Sequence, residues 1–367
     1  MSEEAKVVVK ASTLHTFCAQ VFERLAVSSA DAEIVADVLV AANLRGIESH
    51  GVSRLRRYVK GLQDGTMLAH PEERVVRETA TTALIDAGAG LGQPVSYRAM
   101  KRAIDKAEKQ GVGLVAVRNS NHYGIAGYYA MMALEHGMIG LSMTNANASV
   151  VPTHGQDAML GTNPIAVAAP AGQEYPFVLD MATSIVPVGK LVVYRRQGKQ
   201  MPEGWAIDEA GSPTTNTVRV LNNRLNRRGG GLLPLGGAGE LFGGHKGYGL
   251  ALLVDILSGV LSGAGYADYI HPKALEGKSP SAKVGHFFAA IKVEAFRPLG
   301  EFKAAMDDLI RRLKNSHKAE SADHLFIHGE KEFEETKRRA MEGIPMEAGT
   351  RADLEAIAGE LGVEYHP

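Results

Sequence analysis

Cysteine is almost absent: Cys18 is the only one in 367 residues. An intrachain disulfide framework is therefore excluded, and a reducing compartment fits. The lone thiol reads as a small hydrophobe on a helix face. Charge of one sign is also lacking. Forty Lys and Arg stand against 41 Asp and Glu, a formal net charge of −1. That balance makes no field for nucleic acid or an anionic membrane, so neither is an expected partner. The longest apolar run, near residues 250–261, is too short to span a bilayer and is broken by Asp255 and Gly259. The start, MSEEAKVVVKAS, is acidic before it is apolar and has no h-region, so the expected location is the cytoplasm. The 13 histidines form no HExxH, there are no cysteine pairs, and no metal site is expected. GxSxG and the P-loop motif are missing too, which removes the usual hydrolase elbow and nucleotide cradle.

What remains is 45% apolar and 22% charged, as in a soluble globular protein with one large or two modest domains. Residues 7–9 read as an edge strand. Ser12 is the expected cap of a helix with Leu14, Phe17, Cys18, Val21, Phe22 and Leu25 on one face. Ser28 with Asp31 opens a second helix, and a third follows Ser53 and stops by Gly65. If that third helix starts early, His50, Arg54 and Tyr58 share one face. A base, a cation and a phenol suit acid–base work on a carboxylate. A solvated face with a surface histidine is the plainer alternative.

Residues 74–77 and 83–86 read as a strand pair, and 96–110 as a helix ended by Gly111. A strand at 114–117, a turn holding His122, a helix to Glu135 and a strand at 138–143 make a βαβ pattern. Functional residues in such units lie beyond the strand C-termini. His122 and Asn145 occupy such positions, although His122 could merely cap the next helix. Strands follow at 165–169 and 177–179. The second ends at Asp180, either a helix cap or the orienter of a histidine. Further on come a helix at 188–197, a polar loop at 198–217 carrying Trp205, and an irregular stretch at 263–280 with Tyr266, Tyr269 and His271. A strand at 287–293, a helix at 301–314, a short strand at 325–327 and helices at 333–341 and 350–361 complete the chain.

The densest glycine run, LGGAGELFGGHKGYG at 235–249, contains a GxGxxxG and feeds an apolar helix. A Rossmann unit requires a second strand ending in an acid after that helix. From Gly263 the chain reads GAGYADYIHPKALEG, with no apolar run. The standard dinucleotide fold is therefore rejected. The helix start near His245 and Lys246 remains a candidate anion site.

Taken in order, ANLRGIESHGVSRLRRYVKGL, NSNHYGIAGYYA, GTNPIAVAAP, VLDMATS and LPLGG…GGHKGYGLALLVDILSGVLSGA resemble the malate/L-lactate dehydrogenase family. The resemblance runs from about residue 8 to the C-terminus. It implies an α/β, mixed-sheet, non-Rossmann fold with a helical segment at 1–75. C-terminal helices at 300–367 would pack on that segment, and 76–299 would bind the cofactor. It implies hydride transfer between NAD or NADP and a small 2-hydroxy or 2-oxo acid, malate or lactate in type. Ureidoglycolate, sulfolactate, sugar acids and cyclic imino acids are the alternative substrates. A homodimer is implied as well. By matching position, His50 is the implied proton donor, with Ser49 and Asp180 as relay partners and His122 facing the same pocket. Arg54 and Tyr58 would hold the substrate carboxylate. Cofactor contacts would come from His122, Asn145, Asp180, Met181, Ala182, His245, Lys246, Gly329 and Glu330. Two positions depart from the family pattern. Asn216 stands where Thr-Asp is frequent, and His328 precedes Gly-Glu where proline is usual.

Overall fold

In the computed structural model, residues 7–270 and 283–366 are described. His271 and the rest of the irregular stretch expected to Pro280 lie outside them. Strand β1 (Val7–Val9) leads into helices α1 (Ala11–Arg24), α2 (Ser29–Leu44) and α3 (Leu55–Gln63). Strands β2 (Arg74–Glu78) and β3 (Thr82–Asp86) form a hairpin, followed by α4 (Gly92–Gln110), β4 (Val112–Ser120), α5 (Ala126–Met132) and β5 (Met138–Thr144). Then come β6 (Ile165–Ala169), β7 (Phe177–Met181), α6 (Val188–Arg196), β8 (Ala206–Ile207), α7 (Thr217–Asn226) and β9 (Gly231–Leu232). The chain continues with α8 (Gly244–Asp255), β10 (Val284–Lys292), α9 (Leu299–Lys314), α10 (Glu330–Glu342), β11 (Ile344–Met346) and α11 (Ala348–Leu361).

The first three helices bury the apolar faces their spacing predicts. Leu14, Phe17, Cys18, Val21 and Phe22 pack with Val35, Leu39, Leu55 and Tyr58 in one core. Leu354 and Ile357 of α11 join it, and β1 pairs antiparallel with β11. Burial of the Cys18 thiol pushes its pKa up to about 12, so it is inert packing. Ser28 caps α2, accepting from Asp31 N at 3.3 Å. Ser12 does not cap α1; the helix begins at Ala11 after Lys10, and Ser12 lies inside its first turn. The segment 300–367 makes contacts with both the helical core and the sheet. Helix α11 joins the helical core, but Asp307 of α9 accepts from Gly172, Gln173 and Glu174 N, which ties α9 to the sheet side.

Seven strands form one mixed sheet in the order β2-β3-β4-β10-β5-β6-β7. Only β3 and β4 are a parallel hydrogen-bonded pair. β4 and β5 run in the same direction, as the βαβ pattern requires, but β10 lies antiparallel between them. One face of the sheet packs on α4 and α5 through Ala99, Met100, Ala103, Tyr129, Ala130 and Phe288. The other packs on α8 through Met143, Ile165, Val254 and Phe287. The short strand expected at 325–327 does not form, although His328 O accepts from Val178 N at 2.9 Å.

The glycine run is not part of a Rossmann unit. β9 before it pairs with β8 in a small two-stranded sheet and bridges Val150 through Leu232, apart from the main sheet. Its glycines serve close packing. Gly236 and Gly243 take left-handed backbone, and a Cβ on Gly236 would meet Gly243 O at 2.6 Å.

Candidate active site

The segment after α2 is two single 3-10 turns, Glu48–His50 and Val52–Arg54, broken at Gly51. Asn43 Oδ1 accepts from Val52 N at 2.8 Å and occupies the space a Gly51 side chain would need. The single helical face expected for His50, Arg54 and Tyr58 is therefore interrupted. Ser49 Oγ nevertheless hydrogen-bonds His50 Nδ1 at 2.9 Å, and Arg54 Nε donates to Ser49 O at 2.5 Å.

The second contribution comes from the end of β4. Asn121 Nδ2 donates to Ala89 O and Gly90 O, anchoring the turn that carries His122. A Cβ on Gly92 would lie 2.6 Å from His122 O, so α4 approaches that turn only because Gly92 has no side chain. Tyr58 Oη lies 2.6 Å from His122 Nδ1, and the rings of His50 and His122 stack at 5.6 Å. Gly124 N also donates to His122 Nδ1, at 3.3 Å. A backbone N–H only donates, so His122 Nδ1 is bare and the neutral ring carries its proton on Nε2.

Electrostatics keep this pair neutral. Burial pushes His50 down to about 4, with the charges of Arg54 and Arg57 adding to the fall. His122 is lowered well below its usual value by burial first, then by Arg57, His50, Arg54 and His286. Tyr58 is fully buried and pushed up to about 12, so its phenol keeps its proton.

Asp180 is not joined to His50. Its carboxylate accepts from Gly127 N at 2.8 Å, at the start of α5. Water reaches the residue, yet protein surrounds it in a recess, and that desolvation raises its pKa to about 6. The recess, about 260 Å³, is lined by Arg45, Val178, Asp180, Gly329 and Glu332 among others. Met181 and Ala182 continue from Asp180 and are half-buried. Two residues expected as cofactor contacts, Asn145 and Glu330, also make internal ties. Asn145 is buried, donating to Gly265 O and accepting from Gly285 N. Glu330 is buried and binds Lys314 Nζ at 2.5 Å, His324 and Ile327 N. Its neighbour Glu332 lines the recess together with Asp180. His245 and Lys246 are exposed in the first turn of α8.

Asn216 caps α7, accepting from Arg219 N at 3.0 Å, which accounts for its identity at that position. Sequence reasoning missed Asn43, Gly92 and Glu332. Gly92 had a signal, as a glycine just inside a helix that begins four residues before the expected Ser96. Asn43 and Glu332 had none, because neither lies in a recognisable motif.

The sequence profile of the malate/L-lactate dehydrogenase family matches residues 9–355. The chain belongs to that family. It is 52% identical to a malate dehydrogenase of Pyrococcus horikoshii, over 99% of this chain and 98% of that one. It is 38% identical to a malate/(S)-sulfolactate dehydrogenase of Methanothermus fervidus, over 94% of this chain and 95% of that one. The crystal structure of malate dehydrogenase from Entamoeba histolytica superposes with a TM-score of 0.94 at 37% identity, covering 98% of this chain and 99% of that one. Membership makes the protein a nicotinamide-dependent dehydrogenase of 2-hydroxy acids. No helix among the described residues is long and apolar enough to cross a membrane.

Proposed function

We propose that the protein interconverts malate and oxaloacetate at the His50–His122 pair, using NAD or NADP. The observation that carries this reading is the paired imidazoles, each anchored at Nδ1, beside the Arg54 guanidinium. Arg54 takes the C1 carboxylate and orients the reacting carbon. His122, proton on Nε2, donates a hydrogen bond to the substrate oxygen. His50 exchanges the proton: it accepts it from the alcohol in oxidation and returns it to the alkoxide in reduction. Ser49 and Tyr58 hold the two rings in place.

The recess beside Asp180 suits a dinucleotide. Acids at Asp180 and Glu332 match ribose hydroxyls, and Arg45 with Lys331 matches phosphates. Gly329, whose φ is 94°, leaves no room for a side chain against Val178. Asp180, Met181, Ala182 and Gly329 would hold the cofactor, with His245 and Lys246 as an outer contact. When bound, the nicotinamide supplies or accepts the hydride.

We read the helical body, with α11, as the substrate side and the sheet body as the cofactor side. A homodimer is part of the proposal. Leu253, Ile256 and Val260 form an exposed apolar row along α8 and its continuation, and Leu241 and Phe242, just before α8, are 86% and 81% exposed. The cytoplasm is the proposed compartment.

The test is oxidation of NADH and NADPH with oxaloacetate, sulfopyruvate, pyruvate and a cyclic imine. Absence of turnover with every 2-oxo acid sinks the proposal. His50→Ala should lower kcat by about a hundredfold or more while cofactor affinity changes little. If His122→Ala does this and His50→Ala does not, the two roles are exchanged.

A further inference from the structure

Gln93 is fully buried in the first turn of α4, and neither polar atom of its amide has a hydrogen-bond partner among the described residues. A buried amide left unpaired costs free energy, so a folded protein rarely keeps one without a use for it. Its chain neighbours fix where it stands. Leu91 packs in the same core as Leu55, Tyr58 and Val59 of α3. Gly92 lies so close to the His122 turn that a Cβ would meet His122 O at 2.6 Å. The Gln93 amide comes next and faces the Tyr58 hydroxyl. Burial raises the phenol's pKa to about 12, and the charges of Arg57 and Arg54 and the nearness of the Gln93 amide oppose that rise. The contact is near but not aligned, as is common for such bonds before substrate is bound.

Proton bookkeeping at Tyr58 shows which end of the amide is useful. Gly124 N and Tyr58 Oη both face His122 Nδ1. The phenol gives its one proton to the imidazole, and its oxygen is left as an acceptor. Turned the other way, towards an amide oxygen, the same proton would leave Nδ1 free to carry the ring proton. An amide NH2 directed at Oη closes that second choice.

We propose that Gln93 is a positioning residue: its amide N–H aligns on Tyr58 Oη as substrate binds, directs the phenol proton to His122 Nδ1, and so holds the Nε2 proton towards the substrate oxygen. The donors run in one direction, from Gln93 to Tyr58 to His122 to substrate. Gln93 acts through Tyr58 alone. The proposal rests on the reading of His122 as donor to the substrate oxygen.

The experiment is a double-mutant cycle. Gln93→Met keeps the length of the side chain and removes the donor. It should lower kcat by about threefold to tenfold, the weight of one hydrogen bond, with cofactor affinity unchanged. Made on top of Tyr58→Phe it should cost nothing further, because the group it acts through is gone. A packing role predicts that the two losses multiply. Ser96→Ala, which removes another unpaired buried polar group of α4, should leave kcat intact. Gln93→Glu adds a pH signature. The neutral acid donates to Oη, whereas the carboxylate takes the phenol proton away from His122. Its kcat/KM for malate oxidation should fall as pH rises from about 5 to 8, where wild type stays flat. Circular dichroism follows the fold across the same range. Losses that multiply in the cycle, or a flat Gln93→Glu profile, overturn the proposal. Nitrogen-15 NMR of histidine-labelled protein reads the ring tautomer without turnover and separates the two failures. If no 2-oxo acid turns over but His122 carries its proton on Nε2 and Gln93→Met shifts it towards Nδ1, the positioning role stands and the reaction assignment fails. If the tautomer is the same in both proteins, the positioning role is wrong.

Discussion

Tyr58 Oη and His122 Nδ1 lie 2.6 Å apart, although 64 residues separate them in the chain. The phenol comes from the helical body and the imidazole from the end of a sheet strand. Their bond ties α3 to the turn after β4. Removing the hydroxyl leaves a buried ring nitrogen with only the longer bond from Gly124. Tyr58→Phe should lower kcat by about tenfold to a hundredfold, from loss of ring orientation, with little change in cofactor affinity. Steady-state kinetics with a parallel fluorescence titration of NADH checks this. Equal losses in kcat and in cofactor affinity would point to a general packing defect.

With His50 as the proposed base, its depressed pKa sets the expected pH profile. Oxidation needs the neutral base, and its value of about 4 means the base form persists well below pH 6. The log of kcat/KM for malate oxidation should stay flat from pH 8 to about 5 and fall below that, because kcat/KM reports the free enzyme. An inflection near 6.5, the ordinary imidazole value, would contradict the burial argument.

Gly92→Ala places a methyl against the backbone carbonyls of Asn121 and His122. Helix α4 or the His122 turn must move. The variant should lose about 1–3 kcal/mol of stability and show a raised KM for the 2-oxo acid. Chemical denaturation and initial rates read both effects. A stable variant with wild-type KM would mean that the turn relaxes freely.

His286 is buried between Ser120 Oγ and Thr144 Oγ1, with its ring stacked on Tyr123 at 4.6 Å. Burial lowers its pKa to about 3. The folded value lies below the unfolded one, so the unfolded chain takes the proton first as pH falls. The stability contribution is therefore complete above about pH 6.5 and is lost on acidification, at about 1.4 kcal/mol per pH unit. His286→Gln should flatten the slope of unfolding free energy against pH between 6 and 4.5, whatever it does to stability at pH 7. Parallel slopes for wild type and variant would show that the ring does not titrate on unfolding.

Much of this architecture can be read from local pattern. The faces of α1 and α2, the hairpin of β2 and β3, and the stops at Gly111, Gly137 and Gly362 follow from periodicity and left-handed glycines. The ESHG and NSNHYG segments announced His50 and His122, and the resemblance supplied the family. What sequence could not supply was pairing at a distance. Glu330, expected as a cofactor contact beside Gly329, is also tied to Lys314 and His324. Asn145 sits at a strand end, where a site residue belongs, and its amide ties the end of β5 to Gly265 and to Gly285 of β10. Asp180 is next to the expected chemistry but is held by the start of α5 rather than by a histidine. The Ser49–His50 bond was expected between chain neighbours. The Tyr58–His122 bond needed the fold.

The late arrival of β10 has a consequence for how the protein is made. Residues 284–292 fill the gap between two strands completed by residue 144. On a ribosome adding about 5–20 residues each second, that gap stays open for on the order of ten seconds or more. Until it closes, β4 and β5 expose unpaired edges, and His122 waits at the end of a strand with one neighbour missing. A nascent chain halted before residue 284 should therefore be cut by protease within the 112–144 region and rescued once 292 has cleared the exit tunnel. The His122 turn is among the first parts of the sheet to be synthesised and among the last to be secured.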